Sequence, residues 1–213
     1  MKRLLYIDES EGDIIPFVMK MDGSDIFKTE YIRVTDEMTL EELLELIDDF
    51  HFDCLVIDYF LKQEARVSFQ GDEVVAAYQN RHPRFPVLML SNKDDGAIED
   101  AQNIDVTIIR SKKEYTESPE IFISRLIKMI ESYEDSQAKA SRELVILKQK
   151  EAEGTLDAFE EEKLIELDSF LDESLDSSNR IPNAIRASSS TARLDDLIKK
   201  ADIIIQKLNS NDG

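Results

Sequence analysis

The sequence predicts an α/β fold, a parallel sheet with helices on both faces, followed by an all-helical carboxyl-terminal part. Three observations predict it. Over residues 1–135, apolar runs of strand length alternate with helix-length amphipathic stretches, the pattern of successive βαβ units. The strands are almost continuously apolar, as in Val87-Leu88-Met89-Leu90, which fits burial on two faces. After residue 135 the strand pattern stops and only helical periodicity remains.

Each element has its own signal. Arg3–Asp8 is strand one. Asp13 stands where it would cap a short helix through Met21, with Pro16 tolerated in its first turn. Lys28–Val34 is strand two. Leu40, Leu43, Leu44 and Ile47 share one face of a helix over Thr39–Asp49. Strand three is Asp53–Asp58. A polar stretch then leads to Gly71 and a helix over Glu73–Arg81, broken by His82-Pro83-Arg84-Phe85-Pro86. Strand four is Pro86–Ser91, a short helix covers Gly96–Gln102, and strand five is Asp105–Ile109. A helix starts near Pro119, which suits a first helical position.

The organisation is a domain over residues 1–135 and a helical extension over 136–213. One pattern crosses that boundary. Leu126, Ile130, Tyr133, Gln137, Ala140, Leu144 and Leu147 alternate by four and three, and no Gly or Pro interrupts 120–153. A continuous helix over 120–153 is expected, roughly 50 Å long. Helices near 155–176 and 191–208 follow. The last carries Leu194, Leu197, Ile198, Ala201, Ile204, Ile205 and Leu208 on one stripe. These stripes need cover. They fold back as a small bundle, or they pair with a partner or with a second copy in a homodimer.

Composition excludes several function classes. The formal net charge is −20, and both parts share it: residues 1–135 hold 30 acids against 15 bases, and 136–213 hold 16 against 11. Such a field repels nucleic acid and anionic membrane, so neither is expected as a partner. No apolar stretch approaches the roughly 18 residues of a membrane span. The amino terminus meets Asp8 too early for a signal peptide. The single cysteine, Cys54, lies in an apolar run and reads as a small buried hydrophobe. A cytoplasmic location is expected. His51 and His82 lack metal-ligand spacing and read as solvated surface residues.

Four polar groups interrupt this pattern in the same way. Asp8-Glu9 closes Leu4-Leu5-Tyr6-Ile7, Asp58 closes Leu55-Val56-Ile57, Ser91 closes Val87–Leu90, and Lys112 follows Val106–Ile109. The carboxyl ends of parallel strands are where an open α/β sheet puts its ligand site. A lone strand-end Asp more often caps a loop; four such groups in order are another matter. Clustered carboxylates are held ionised by a divalent cation or a lysine. Oxygen ligands of this kind suit Mg²⁺ together with phosphate oxygens. An Asp so placed can take a phosphoryl group, whose oxygens a metal, a hydroxyl and a lysine would neutralise.

With Ile-Asp8-Glu9-Ser, Val-Ile-Asp58, Met-Leu-Ser91-Asn and Ile-Arg-Ser-Lys112 in that order, residues 1–135 resemble the receiver domain of bacterial two-component response regulators. The resemblance implies a flavodoxin-like, doubly wound, five-stranded parallel sheet in the order 2-1-3-4-5. It implies Asp58 as phosphoacceptor, and Asp8, Glu9, Asp58 and the Phe60 carbonyl around Mg²⁺. It implies Ser91 as the hydroxyl that follows the phosphoryl group, and Lys112 as its cationic partner. The donor would be a histidine kinase or a phosphotransfer protein.

The chain departs from that pattern in several places. Glu9 replaces the commoner Asp. Asn92 follows Ser91 where a small residue is usual. The segment from Asp58 to Gly71 is longer than usual, so Gln63–Gln70 is an insertion beside the site and a candidate partner surface. Ile109 stands where an aromatic switch is common. Lys113 competes with Lys112 as the active lysine, because Glu114-Tyr115 resembles the usual continuation.

The extension resembles no DNA reader, has no His for phosphotransfer, and is too short and polar for an enzymatic output. A dehalogenase-like phosphatase would carry a second Asp two residues after its nucleophile, where Ser10 and Phe60 stand. The expected protein is therefore a non-enzymatic, phosphorylatable response regulator that signals to an unknown downstream protein. The alternative is a pseudo-receiver or phosphate sink that acts by binding alone.

Overall fold

The structure, a computed structural model, describes residues 1–62, 65–92 and 105–173. The helices expected over 96–102 and near 191–208 lie outside the described residues. Residues Met1–Leu175 form one compact unit.

Five strands form the sheet: β1 (Lys2–Asp8), β2 (Phe27–Arg33), β3 (Cys54–Asp58), β4 (Val87–Ser91) and β5 (Ile109–Ser111). All neighbours pair parallel in the order β2-β1-β3-β4-β5. This is the doubly wound, flavodoxin-like arrangement. The order reverses at β1, so the carboxyl ends of β1 and β3 lie side by side where the chain leaves the sheet in opposite directions. In β2 Lys28, Tyr31 and Arg33 are exposed, and the two basic side chains give the strand the charged character of a protected edge.

The helices are α1 (Glu11–Asp22), α2 (Leu40–Asp48), α3 (Gly71–Arg81), α4 (Lys112–Glu117), α5 (Pro119–Glu153) and α6 (Ala158–Glu173). Because strand side chains alternate in direction, each buried strand feeds two apolar layers. Leu5, Ile7, Leu55, Ile57, Val87 and Met89 meet Leu43, Leu44 and Ile47 of α2 and Val74, Val75 and Tyr78 of α3. Leu4, Tyr6, Cys54, Val56, Leu88 and Leu90 meet Ile14, Phe17 and Met21 of α1 and Phe122, Leu126 and Ile130 of α5. Cys54 is free and buried, as its run implied. Thr39 caps α2 through a reciprocal box with Glu42, which satisfies two otherwise orphaned donors.

Several expectations change. β5 starts at Ile109 rather than Asp105, because Val106–Ile108 forms a single 3₁₀ turn. The Asp105 side chain accepts from Thr107 N–H at 2.9 Å, and the Asp105 carbonyl accepts from Ile108 N–H. That local bonding competes with extended pairing. Helix α1 starts two residues before Asp13, with Ser10 at its N-cap; Asp13 sits inside the first turn, and Pro16 lies in the second. His82 is buried rather than solvated. It stacks on Tyr78 at 4.5 Å, and its Nε2 lies 3.6 Å from Asp48. The described part of the insertion packs inward: Ala65 and Phe69 are buried in the α2–α3 layer, and Arg66 N–H donates to Asp36.

Helix α5 runs unbroken for 35 residues and ends at Gly154 in the left-handed region, φ 66°. Its first half covers the sheet. Its second half packs with α6, where Ala140, Leu147, Leu164 and Phe170 are buried. The buried members of the four-three stripe are thus covered within the chain. Lys148–Asp168, Lys150–Glu160 and Lys163–Glu143 pair along this hairpin. Phe170 lies edge-on to Tyr133 and under the Arg84 guanidinium at 5.1 Å.

Candidate functional site

The strand ends deliver Asp8, Asp58, Ser91 and Lys112 to one place. Asp8 is the last residue of β1, Asp58 of β3 and Ser91 of β4. Ser91 is level with Ser111 in the β4–β5 register, and Lys112 follows Ser111 directly. All four are buried, as is Glu9. Buried charges need partners, and here the partners are each other.

Lys112 is the hub. Its ammonium lies 2.9 Å from Asp8 Oδ2, 2.9 Å from Asp58 Oδ1 and 2.5 Å from Asp13 Oδ2. Lys113 is exposed, so of the two lysines Lys112 enters the cluster. The turn after β5 decides this: Ser111 caps α4 by accepting from Lys113 N–H, which leaves Lys112 facing the sheet edge and Lys113 facing outward. Asp58 Oδ2 accepts from Phe60 N–H at 2.6 Å. Asp8 Oδ1 accepts from Ser10 N–H at 2.8 Å, and Asp8 Oδ2 accepts from the Tyr6 hydroxyl at 2.5 Å.

The electrostatics follow from three carboxylates and one ammonium in a dry place. Burial raises the Asp58 carboxyl to about 6, against the opposing pull of Lys112. Burial, with the charges of Asp58 and Asp8, raises Glu9 to about 8. Burial alone would lower the Lys112 ammonium, but Asp58 and Asp8 outweigh it and hold it well above the usual lysine range. Burial and the neighbouring Asp8 push the Tyr6 hydroxyl well above the usual phenol range, so it stays a donor.

Among the described residues no group of three or more His, Cys, Asp or Glu is arranged to hold a metal ion. The carboxylates close on the ammonium instead. The donor set still suits a hard cation, since every candidate ligand is an oxygen. Glu9 Oε2 is buried with no hydrogen-bond partner, and a cation beside Asp8 and Asp58 would satisfy it.

Three contributors had no strand-end signal. Tyr6 lies inside an apolar run, yet its hydroxyl reaches Asp8. Asp13 had the mark of a cap, and its reach to Lys112 spans 99 residues. Gly71 marked only a helix start. A Cβ on Gly71 would stand 2.1 Å from the Asp58 carbonyl oxygen, so its backbone lies against that of Asp58. Its one signal in the sequence was a glycine ending a polar segment.

No family model matches the chain, and no curated protein does. Solved structures do. The Francisella response regulator 1452 receiver domain is 16% identical, with a TM-score of 0.43 over 62% of this chain and 98% of that one. The signal receiver domain of an HD domain-containing protein from Pseudomonas fluorescens is 16% identical, with a TM-score of 0.47 over 62% and 98%. The amino-terminal domain of a response regulator/sensory box/GGDEF 3-domain protein from Carboxydothermus hydrogenoformans is 15% identical, with a TM-score of 0.46 over 63% and 98%. These are likenesses of fold, over the amino-terminal part of this chain.

Proposed function

We propose that this protein is a response regulator that accepts a phosphoryl group on Asp58 from a histidine kinase or phosphotransfer protein. The observation that carries the reading is the grouping of Asp58 with Asp8 and Lys112 at 2.9 Å from a shared ammonium, at the carboxyl ends of β1, β3 and β5. Asp58 is the candidate acceptor because it ends the central strand and its Oδ1 lies 2.9 Å from the Lys112 ammonium. Lys112 would neutralise one phosphoryl oxygen, and the Ser91 hydroxyl would donate to another. Asp8, Glu9, Asp58 and the Phe60 carbonyl would hold Mg²⁺. When bound, Mg²⁺ would supply the remaining charge neutralisation at the phosphoryl oxygens.

The output we propose is contact with another protein, through the surfaces of α5 and α6 and the residues that follow. The acidic balance of both parts supports an output that does not involve DNA. Phosphorylation would act by favouring one of two conformations.

The test is direct. The full chain is incubated with acetyl phosphate and Mg²⁺, and the modified residue is mapped by mass spectrometry, with circular dichroism as the check on folding. The expected adduct is on Asp58, absent from Asp58→Asn and absent without Mg²⁺. A folded wild-type protein that takes no phosphoryl group would sink the reading in favour of a binding-only module.

A further inference from the structure

An ammonium has three N–H donors and no acceptor. Lys112 donates to Asp8 and Asp13, and its ammonium also lies 2.9 Å from Asp58 Oδ1. Asp8 and Asp58 belong to the strand-end cluster. Asp13 comes from the first turn of α1. The acceptors differ in what else holds them. Asp8 also accepts from Ser10 N–H and the Tyr6 hydroxyl, and Asp58 from Phe60 N–H. Among the described residues, Lys112 is the one hydrogen-bond donor to the Asp13 carboxylate, whose side chain is 35% exposed.

A phosphoryl group on Asp58 would replace the Asp58 charge, and to meet its oxygens the ammonium would turn away from Asp8 or from Asp13. Releasing Asp8 would leave a buried carboxylate without its counter-charge, which is costly. Releasing Asp13 leaves a carboxylate that water can reach. We propose that Asp13 is a positioning residue that tethers Lys112 by a hydrogen bond and competes for it with a phosphoryl group at Asp58. Asp13 thereby sets how readily the lysine engages that group. The competition rests on the phosphoacceptor reading above; the tether rests on the geometry alone.

The test uses the full chain, with Asp13→Asn compared against Glu11→Gln. Both residues lie in the first turn of α1, so each variant removes one carboxylate from the same helix start. Glu11 pairs instead with Arg33. Far-UV circular dichroism establishes that both variants fold. The first readout is acetylation of Lys112 by acetic anhydride, followed by mass spectrometry without metal or phosphate. The rate should rise about three- to tenfold in Asp13→Asn only, the scale of a partly exposed charged hydrogen bond. Equal rates in Asp13→Asn and wild type overturn the tether.

The second readout is calorimetric titration with beryllofluoride and Mg²⁺. Half-saturation should fall by a similar factor in Asp13→Asn and stay unchanged in Glu11→Gln. Unchanged or weaker binding in Asp13→Asn, or an equal gain in Glu11→Gln, overturns the competition. A wild-type chain that binds no beryllofluoride, while Asp13→Asn frees Lys112, overturns the phosphoacceptor reading and the competition together, and supports the tether.

Discussion

At the scale of residues, the site rests on neighbours that carry no formal charge or no side chain at all. Gly71 is the sharpest case. A Cβ there would stand 2.1 Å from the Asp58 carbonyl oxygen and 3.0 Å from Tyr59 Cα; both are backbone atoms that cannot swing aside. Gly71→Ala should therefore cost about 2–3 kcal/mol by overpacking, read from urea unfolding, and should weaken beryllofluoride binding by displacing Asp58. An unchanged midpoint would show that the backbone there yields easily. Tyr6→Phe removes the hydroxyl that donates to Asp8 Oδ2 while keeping the ring that stacks on Phe17 at 4.0 Å. Its expected cost is about 1.5–3 kcal/mol, the worth of a hydrogen bond to a charged group, again by urea unfolding. Asp8, Asp58, Ser91 and Lys112 were legible in the sequence because each ends or follows an apolar run whose arrest is itself the signal. Asp13, Tyr6 and Gly71 were not. Asp13 and Gly71 act through contacts across the fold, Asp13 with a partner 99 positions away, and Tyr6 reaches Asp8 from inside an apolar run whose other side chains are core.

At the scale of elements, periodicity located most strands and helices within a residue or two. It failed where a local side-chain bond overrode it. Val106-Thr107-Ile108 has the composition of a strand, yet Asp105 winds it into a 3₁₀ turn and shortens β5 to three residues. His82 looked solvated because a lone histidine in a Pro-containing loop gives no pattern; stacking on Tyr78 draws it in. The long α5 was legible from a heptad-like stripe that no Gly or Pro interrupts over 120–153. Gly154 has φ 66°, and a Cβ placed there would meet nothing within 4 Å. Gly154→Ala should thus cost about 1 kcal/mol from backbone strain alone. Thermal unfolding checks it, and a neutral result would mean that the helix ends by fraying rather than by this cap.

At the scale of the whole molecule, charge makes the broadest prediction. With 46 acidic residues against 26 basic ones, the chain should not retard duplex DNA in a gel at low salt, with or without beryllofluoride. A shift that weakens as salt rises would reveal a basic face that composition hides. Among the described residues no helix is long and apolar enough to cross a membrane. Both apolar layers of the sheet were foreseeable from composition and alternation, whereas the docking of α6 beside Arg84 and Tyr133 was not; amphipathic stripes say that a helix needs cover, not which neighbour supplies it. The unbroken α5 has one more consequence. Its base is clamped on the sheet by Phe122, Leu126 and Ile130, while its far turns stand in the hairpin with α6. The arm beyond that clamp, roughly 35 Å long, is a lever: pivoting it about 5° at the fulcrum would sweep its tip by roughly 3 Å, so a small adjustment beneath the helix would be read out as a larger displacement at its far end.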